Sequence, residues 1–309
     1  LQLRLRIPAG GSAECTFLLG EAIGDDEARS LCRRFASAAQ VDAELATATR
    51  SWRQRLSAVQ VETPVPALDV LLNGWLLYQV LSCRLWGRTA FYQSGGAFGF
   101  RDQLQDAAAF ALAEPQRLRA QILLHAAHQF TAGDVLHWWH PPGARGIRTR
   151  FSDDLLWLPY LTDFYVSSSG DEAVLDEQVG FVRGRALASD EDEAFLAATA
   201  TAGGADLYTH CCLAIDRSLA SGVHGLPLMG TGDWNDGMNR VGRQGRGESV
   251  WLAFFLYDIL GSFGRWGERR GDRQRVHRYR ARRDELRAAV ERHGWDGAWY
   301  RRAYYDDGS

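Results

Sequence analysis

The sequence predicts a mainly helical protein, an array of helices that carries its site at one end and is preceded by a short β segment. Three observations predict it. Helical periodicity dominates for more than two hundred residues from about residue 66, the connections between those helices alternate long and short, and Leu1 to Pro8 alternates apolar and polar residues as a strand does. With 46% hydrophobic and 24% charged residues in 309, the composition is that of a globular protein with a sizeable core. A net charge of -3 gives no overall positive field for nucleic acid or anionic membrane.

Taken in order, Leu1 to Pro8 and Cys15 to Leu19 read as two strands about the Gly10-Gly11 turn. Two strands bury no face alone, so they are expected to be the last strands of a β-domain over 1–25. Linker helices follow at 26–37 and 41–57 within a linker of 26–62, and residues 63–309 are expected to form the main domain. Helices are predicted there at 66–86, 102–113, 116–131, 152–168, 172–182, 189–201, 205–221, 248–265 and 274–293. Ser152 before Asp153 and Asp154, and Ser189 before Asp190 and Glu191, read as caps with first-turn acids. Pro159 should kink its helix or shift its start.

Alternate connections of an up-down array share one end. The long ones at 87–101, 132–151 and 222–247 are therefore expected on one rim. The richest stretch lies in the third, Thr231-Gly232-Asp233-Trp234-Asn235-Asp236-Gly237-Met238-Asn239, which no helix or strand period explains. Gly232 and Gly237 read as turn residues presenting the polar side chains.

Five cysteines without C-x-x-C spacing suggest neither a disulfide framework nor a zinc ribbon, which points to a reducing, cytoplasmic setting. The run from Trp251 to Phe263 is broken by Asp258 and is too short to span a bilayer. Leu1 is not a natural start and the chain stops in a turn-like sequence, so a segment of a longer protein is expected.

The first long loop, Tyr92 to Asp106, sets Gly95, Gly96 and Gly99 among aromatics without a Walker or dinucleotide fingerprint. Gln93, Arg101 and Asp102 are its ligand-facing candidates. Asp106 is read as a capping, structural group. The second loop holds Trp138 and Trp139, expected as flat apolar walls suited to the C–H faces of sugar rings. His125, His128, His137 and His140 raise a metal site, but their spacing lacks a diagnostic acidic partner and no metal is expected. In the third loop Asp233 and Asp236, with Glu248, are the candidate acids; Arg243 and Arg246 are read as solvated. Cleaving a glycosidic bond needs a protonated carboxyl near the leaving oxygen, and a neighbouring Trp favours that state. No Ser-x-x-Lys or Gly-x-Ser-x-Gly arrangement competes as a nucleophile.

Tyr92 to Asp106, His137 to Asp154 and Gly230 to Trp251 together resemble glycoside hydrolase family 94, the inverting β-glucoside phosphorylases, and within it the phosphorylase-like regions of cyclic β-1,2-glucan synthases. The resemblance implies an (α/α)6 barrel, here without its C-terminal part, after a β-sandwich and a linker. It implies that Asp236 is the general acid and that inorganic phosphate, as co-substrate, attacks the anomeric carbon from the opposite face. Trp234 would line the donor subsite, with Arg101 and Asp102 on donor hydroxyls; Asp233 would hold the turn or touch substrate, and no cofactor is needed. Some relatives carry an additional Arg in the glycine-rich loop before Arg101, where this chain has Gly95 and Gly96, and the family's phosphate-binding residues are expected after Ser309. The implied partners are a β-glucan oligosaccharide and phosphate, no nucleic acid, membrane association only through other domains at the inner membrane, and homodimerisation as an option. Two other readings stand beside it: an inverting β-glucan hydrolase with Glu248 or Asp102 as base, and a non-catalytic glucan-binding module.

Overall fold

The computed structural model describes residues 2–89 and 95–309. The chain forms two compact units, residues 1–60 and 61–309.

In the first unit, α1 (Asp25–Arg34) opens on Asp25, Asp26 and Glu27 and closes on Arg33 and Arg34, each set matched to the helix dipole. Ser37 caps α2 (Ala38–Leu56) in a reciprocal capping box with Gln40. The expected strands are a correction. Gly11 N donates to Pro8 O in the turn, but residues 2–24 form no ladder, and Leu3, Leu5, Ile7 and Phe17 are exposed. Without a third strand or a packed face, a hairpin has too little to bury.

The second unit begins with α3 (Pro66–Val70) and α4 (Leu76–Gln79), each continued by a wider helical turn as far as Trp86. The remaining helices are α5 (Phe100–Ala107), α6 (Pro115–Ala126), α7 (Trp157–Ser169), α8 (Leu207–Arg217), α9 (Val250–Arg270) and α10 (Arg273–Ala289). Their apolar faces meet in a core that includes Phe100, Leu118, Ile122, Leu156, Tyr165, Ile215, Leu256 and Phe263. Pro115 starts α6 where its missing N–H costs nothing. Pro159 sits in the first turn of α7, behind a 3-10 turn at Asp154–Leu156, so it shifts the start of the helix rather than kinking it.

The main departure is a five-stranded antiparallel sheet. Strands β1 (Phe98–Gly99), β2 (Leu136–His140), β3 (Ala144–Thr149), β4 (Gln178–Arg183) and β5 (Glu193–Asp206) lie in the order β1-β2-β3-β5-β4. The helices expected at 172–182 and 189–201 are therefore a short 3-10 turn followed by β4, and β5. Ser189 before Asp190 and Glu191 reads as a helix start, but such a local signal is a weak prior against two available strand edges. Alternation decides it: Ala194, Leu196 and Ala198 are buried while Phe195 between them is exposed. The second long connection is likewise mostly the β2–β3 hairpin. A two-stranded ladder joins β6 (Glu248–Ser249) to β7 (Ala303–Tyr304).

The alternation of loop lengths no longer runs unbroken through the array. The three long connections nevertheless meet. β1 pairs with β2, Phe151 bridges to Gly230, and Ser152 donates from both its N–H (2.9 Å) and Oγ (3.1 Å) to Gly232 O. No helix among the described residues is long and apolar enough to cross a membrane.

Candidate active site

The Thr231–Asn239 loop is built from its own polar side chains. Asp233 Oδ1 accepts from Asn235 N (3.1 Å), Asn235 Oδ1 accepts from Gly237 N (3.0 Å), and a short 3-10 turn over Asp236–Met238 results. The glycine requirements differ from those expected at Gly237. Gly230 carries the left-handed backbone, with φ +61, and Gly232 lies against the Phe151 ring, where a Cβ would come within 2.6 Å of Cε1.

Arg101, only 6% exposed, is the centre of the site. Its Nη2 donates to Asp236 Oδ1 at 2.8 Å, and its Nη1 faces Asp153 Oδ1 (3.4 Å) and Asp233 O (3.3 Å). A planar guanidinium can serve three directions at once, which fixes the motif loop to the turn before α7. Burial works against its charge, but Asp153, Asp154 and Asp236 outweigh that and raise it. Asp153 is completely buried and accepts from Trp157 Nε1 at 3.0 Å. Burial, with the neighbouring Asp154 charge, pushes it up to about 7 against the pull of Arg101.

His137 is the residue that a bulge sets out of register. Leu136 pairs with Arg148 and Trp138 with Ile147, so His137 is extra in β2. Its Nδ1 meets Asp154 Oδ2 at 2.7 Å, and its ring stacks on Phe151 with centroids 4.6 Å apart. Burial lowers it, but the Asp154 charge and hydrogen bond prevail and raise it to about 9.

A recess opens above these groups, lined by Gly99, Arg101, Asp102, His137, Trp138 and Asp154. It shares Gly99, Asp102 and Trp138 with a neighbouring recess that reaches Arg84 and His140. Asp102 is half exposed. Asp236 has a side chain 61% exposed, beside Trp234, whose exposed indole donates from Nε1 to Gln105 Oε1 at 3.2 Å. One exposed carboxyl held by a buried arginine beside an exposed indole can present an acid to a sugar.

Residues 51–309 match the Glycosyl hydrolase 94 superfamily, catalytic domain. The chain belongs to that family. Over 304 residues it is 43% identical to the cyclic beta-(1,2)-glucan synthase NdvB of Rhizobium meliloti (strain 1021), covering 98% of this chain and 11% of that protein. It is 30% identical to the solabiose phosphorylase of Paenibacillus borealis over 293 residues (94% of this chain, 34% of that protein). It is also 30% identical to the N,N'-diacetylchitobiose phosphorylase of Vibrio furnissii over 331 residues (97% and 38%). The chain thus spans well under half the length of these relatives.

Within this glycosyl hydrolase 94 domain several expected ligand residues take other positions. Trp139 is 1% exposed and packs on Phe98 and His128, so it belongs to the core and only Trp138 borders the recess. Trp138 and Trp139 point to opposite faces as strand neighbours do, and the extra residue at His137 sets which of the two faces the core. Asp233 is completely buried, with Arg302 on both oxygens and Ser249 Oγ donating to Oδ2 at 2.6 Å. Burial raises it, but these partners prevail and lower it, and both its oxygens are engaged inside the fold. Glu248 is 1% exposed and clamps a turn, accepting from His224 N (3.1 Å) and Leu226 N (3.0 Å) and pairing with His224 Nδ1 (2.6 Å). That leaves it no free oxygen for substrate or water. Asp106 pairs with Arg84 at 2.5 Å. Arg246 is exposed, as expected, and donates from Nε to Asp306 O. His125 is buried between Gln121 O and Gly99 O, and burial takes it down to about 3. Gln93 lies outside the described residues. The structural partners of Asp153 and His137 lie in other segments and were not legible in the sequence, although Ser152-Asp153-Asp154 and the His137-Trp138-Trp139-His140 run are conspicuous there.

Proposed function

We propose that this chain is the acid-bearing part of a glycoside phosphorylase module that acts on β-1,2-glucan or related β-glucosides and releases α-glucose 1-phosphate by inversion. The observation that carries this reading is the Arg101–Asp236 contact. It gives one exposed carboxyl a fixed place beside Trp234 and the recess of Asp102 and Trp138. The donor sugar would lie on these residues, its hydroxyls taking over Arg101 and Asp102 as Asp236 turns to the glycosidic oxygen. Asp236 gives its proton to the leaving oxygen while phosphate attacks the anomeric carbon from the other face, so no second carboxylate is required. The kinship with relatives named phosphorylases and a glucan synthase supports the substrate class. The same reading takes the helices as part of an (α/α)6 barrel over 63–309, after a linker at 26–62 and the end of a β-sandwich at 1–25. It needs no cofactor, and it places the module inside the cell in a larger synthase.

The hydrolase alternative is weakened on one side, since Glu248 is occupied by His224 and Leu226. Asp102 remains its candidate base. The test is to incubate the full-length protein with β-1,2-oligoglucans with and without phosphate. Phosphate-dependent glucose 1-phosphate, reduced about two to four orders of magnitude by Asp236→Asn, is the expected result. Reducing glucose formed without phosphate selects the hydrolase; saturable binding without turnover selects the binding module.

A further inference from the structure

The recess holds more polar chemistry than Arg101 and Asp102 account for. Asp154 lines it and is 2% exposed; its Oδ2 meets His137, while its Oδ1 is buried without a hydrogen-bond partner among the described residues. A buried carboxylate oxygen without a donor costs free energy unless a ligand or solvent supplies one. The His137 side chain is 21% exposed, and with Nδ1 engaged its Nε2 is the ring nitrogen left for the recess.

We propose that His137 and Asp154 form a second donor–acceptor pair in the recess that reads a hydroxyl of the donor sugar, His137 Nε2 donating and Asp154 Oδ1 accepting. This rests on the reading of the recess as the donor subsite. Charge favours a neutral polyol over phosphate here. The groups facing the imidazole are Asp154 from the turn before α7, Arg101 and Asp102 from α5, and Asp236 from the motif loop, with Asp153 behind Arg101. Burial pushes Asp153 up to about 7 and Asp236 carries a proton in the proposed reaction, so the two cations are balanced by Asp154 and Asp102, and the recess has no net positive charge to draw in an anion. A sugar hydroxyl donates and accepts at once, which is what this pair offers. Asp154 also sets the pH dependence. It keeps a proton on Nδ1, so when the imidazolium titrates, Nε2 changes from donor to acceptor and the contact with the hydroxyl's acceptor side is lost.

The test reads binding, which is independent of whether phosphate or water attacks. Calorimetry with a β-1,2-linked glucan oligosaccharide is run on the full-length protein in an Asp236→Asn background, which slows turnover, with and without His137→Asn. Asparagine can still donate to Asp154, so folding is checked by melting temperature and Asp154→Asn is measured as the partner variant. Binding about tenfold to a hundredfold weaker at neutral pH is expected for His137→Asn. The gap should close above about pH 9, where the native imidazole loses its charge. A deoxy sugar lacking the hydroxyl in question should bind both proteins equally. Unchanged affinity in folded His137→Asn protein overturns the proposal. So does a gap of the same size at pH 7 and pH 10, which a structural role would give. No binding by the unsubstituted protein overturns the donor subsite along with it, whereas binding effects as expected with no phosphorolysis by the native protein overturn the phosphorylase reading alone.

Discussion

Arg101 and Asp236 stand 135 positions apart in the chain, yet Nη2 and Oδ1 are 2.8 Å apart, and the same guanidinium faces the buried Asp153. One side chain thus ties a helix start, the turn before α7 and the motif loop together. Lysine keeps the charge but offers one ammonium where the site uses a planar fork. Arg101→Lys is expected to lower turnover of β-glucan oligosaccharide at least tenfold. Arg101→Ala should also destabilise the fold by about 2–4 kcal/mol, measured by urea unfolding, because it leaves a buried carboxyl without its cation. Protonation of Asp153 keeps that loss at the lower end of what breaking a buried pair costs.

Asp153 predicts a pH signature. Its carboxyl titrates near 7 in the folded protein, above the unfolded value, so the native state holds a proton that the unfolded chain has released. Stability should therefore fall as pH rises from about 4 to about 7, since the unfolded state binds fewer protons over that window. Asp153→Asn should flatten this part of the profile. Chemical unfolding of both proteins at pH 5 and pH 7.5 checks it; the same slope in each would remove Asp153 as the cause.

The convergence of the polar loops was legible because their residues are chemically conspicuous. Asp236, Trp234, Arg101 and Asp102 stand in glycine-rich polar stretches with no periodic explanation, and these stretches do converge. Burial was less legible. Trp138 and Trp139 look alike in the sequence, and a single bulged residue before them decides which one faces the core. Glu248 and Asp233 read as available acids, but their partners, His224 and Arg302, come from other segments. The sheet was hidden because β5 is rich in alanine and glycine, whose local preferences say little about a strand held by neighbours on both sides.

The two tryptophans separate stability from binding. Trp139→Ala removes a fully buried indole stacked between Phe98 and His128, and should cost about 3–5 kcal/mol. Trp138→Ala trims a half-buried ring at the recess wall. It should change the melting temperature little while raising the KM for oligosaccharide severalfold. Thermal melts and steady-state kinetics on the pair check both halves. Equal losses of stability would place Trp138 in the core as well.

Gly232 tests how closely the motif loop must approach its support. A Cβ there would press into the Phe151 ring at 2.6 Å, and that ring is itself stacked on His137. The ring cannot yield without moving the imidazole that borders the recess, and the loop cannot lift without stretching both Ser152 bonds to Gly232 O. Gly232→Ala should therefore destabilise by roughly 1–3 kcal/mol, as overpacking does, and should reduce turnover more than it reduces stability because Asp236 rides on the displaced loop. At Gly237 a Cβ would come 3.2 Å from Asn235 Oδ1, a side-chain atom that needs to shift only a few tenths of an ångström, and the backbone there is not left-handed. Gly237→Ala should be tolerated in both assays. Measured side by side by denaturant unfolding and oligosaccharide phosphorolysis, equal effects of the two substitutions would mean that the Phe151 contact does not position the acid.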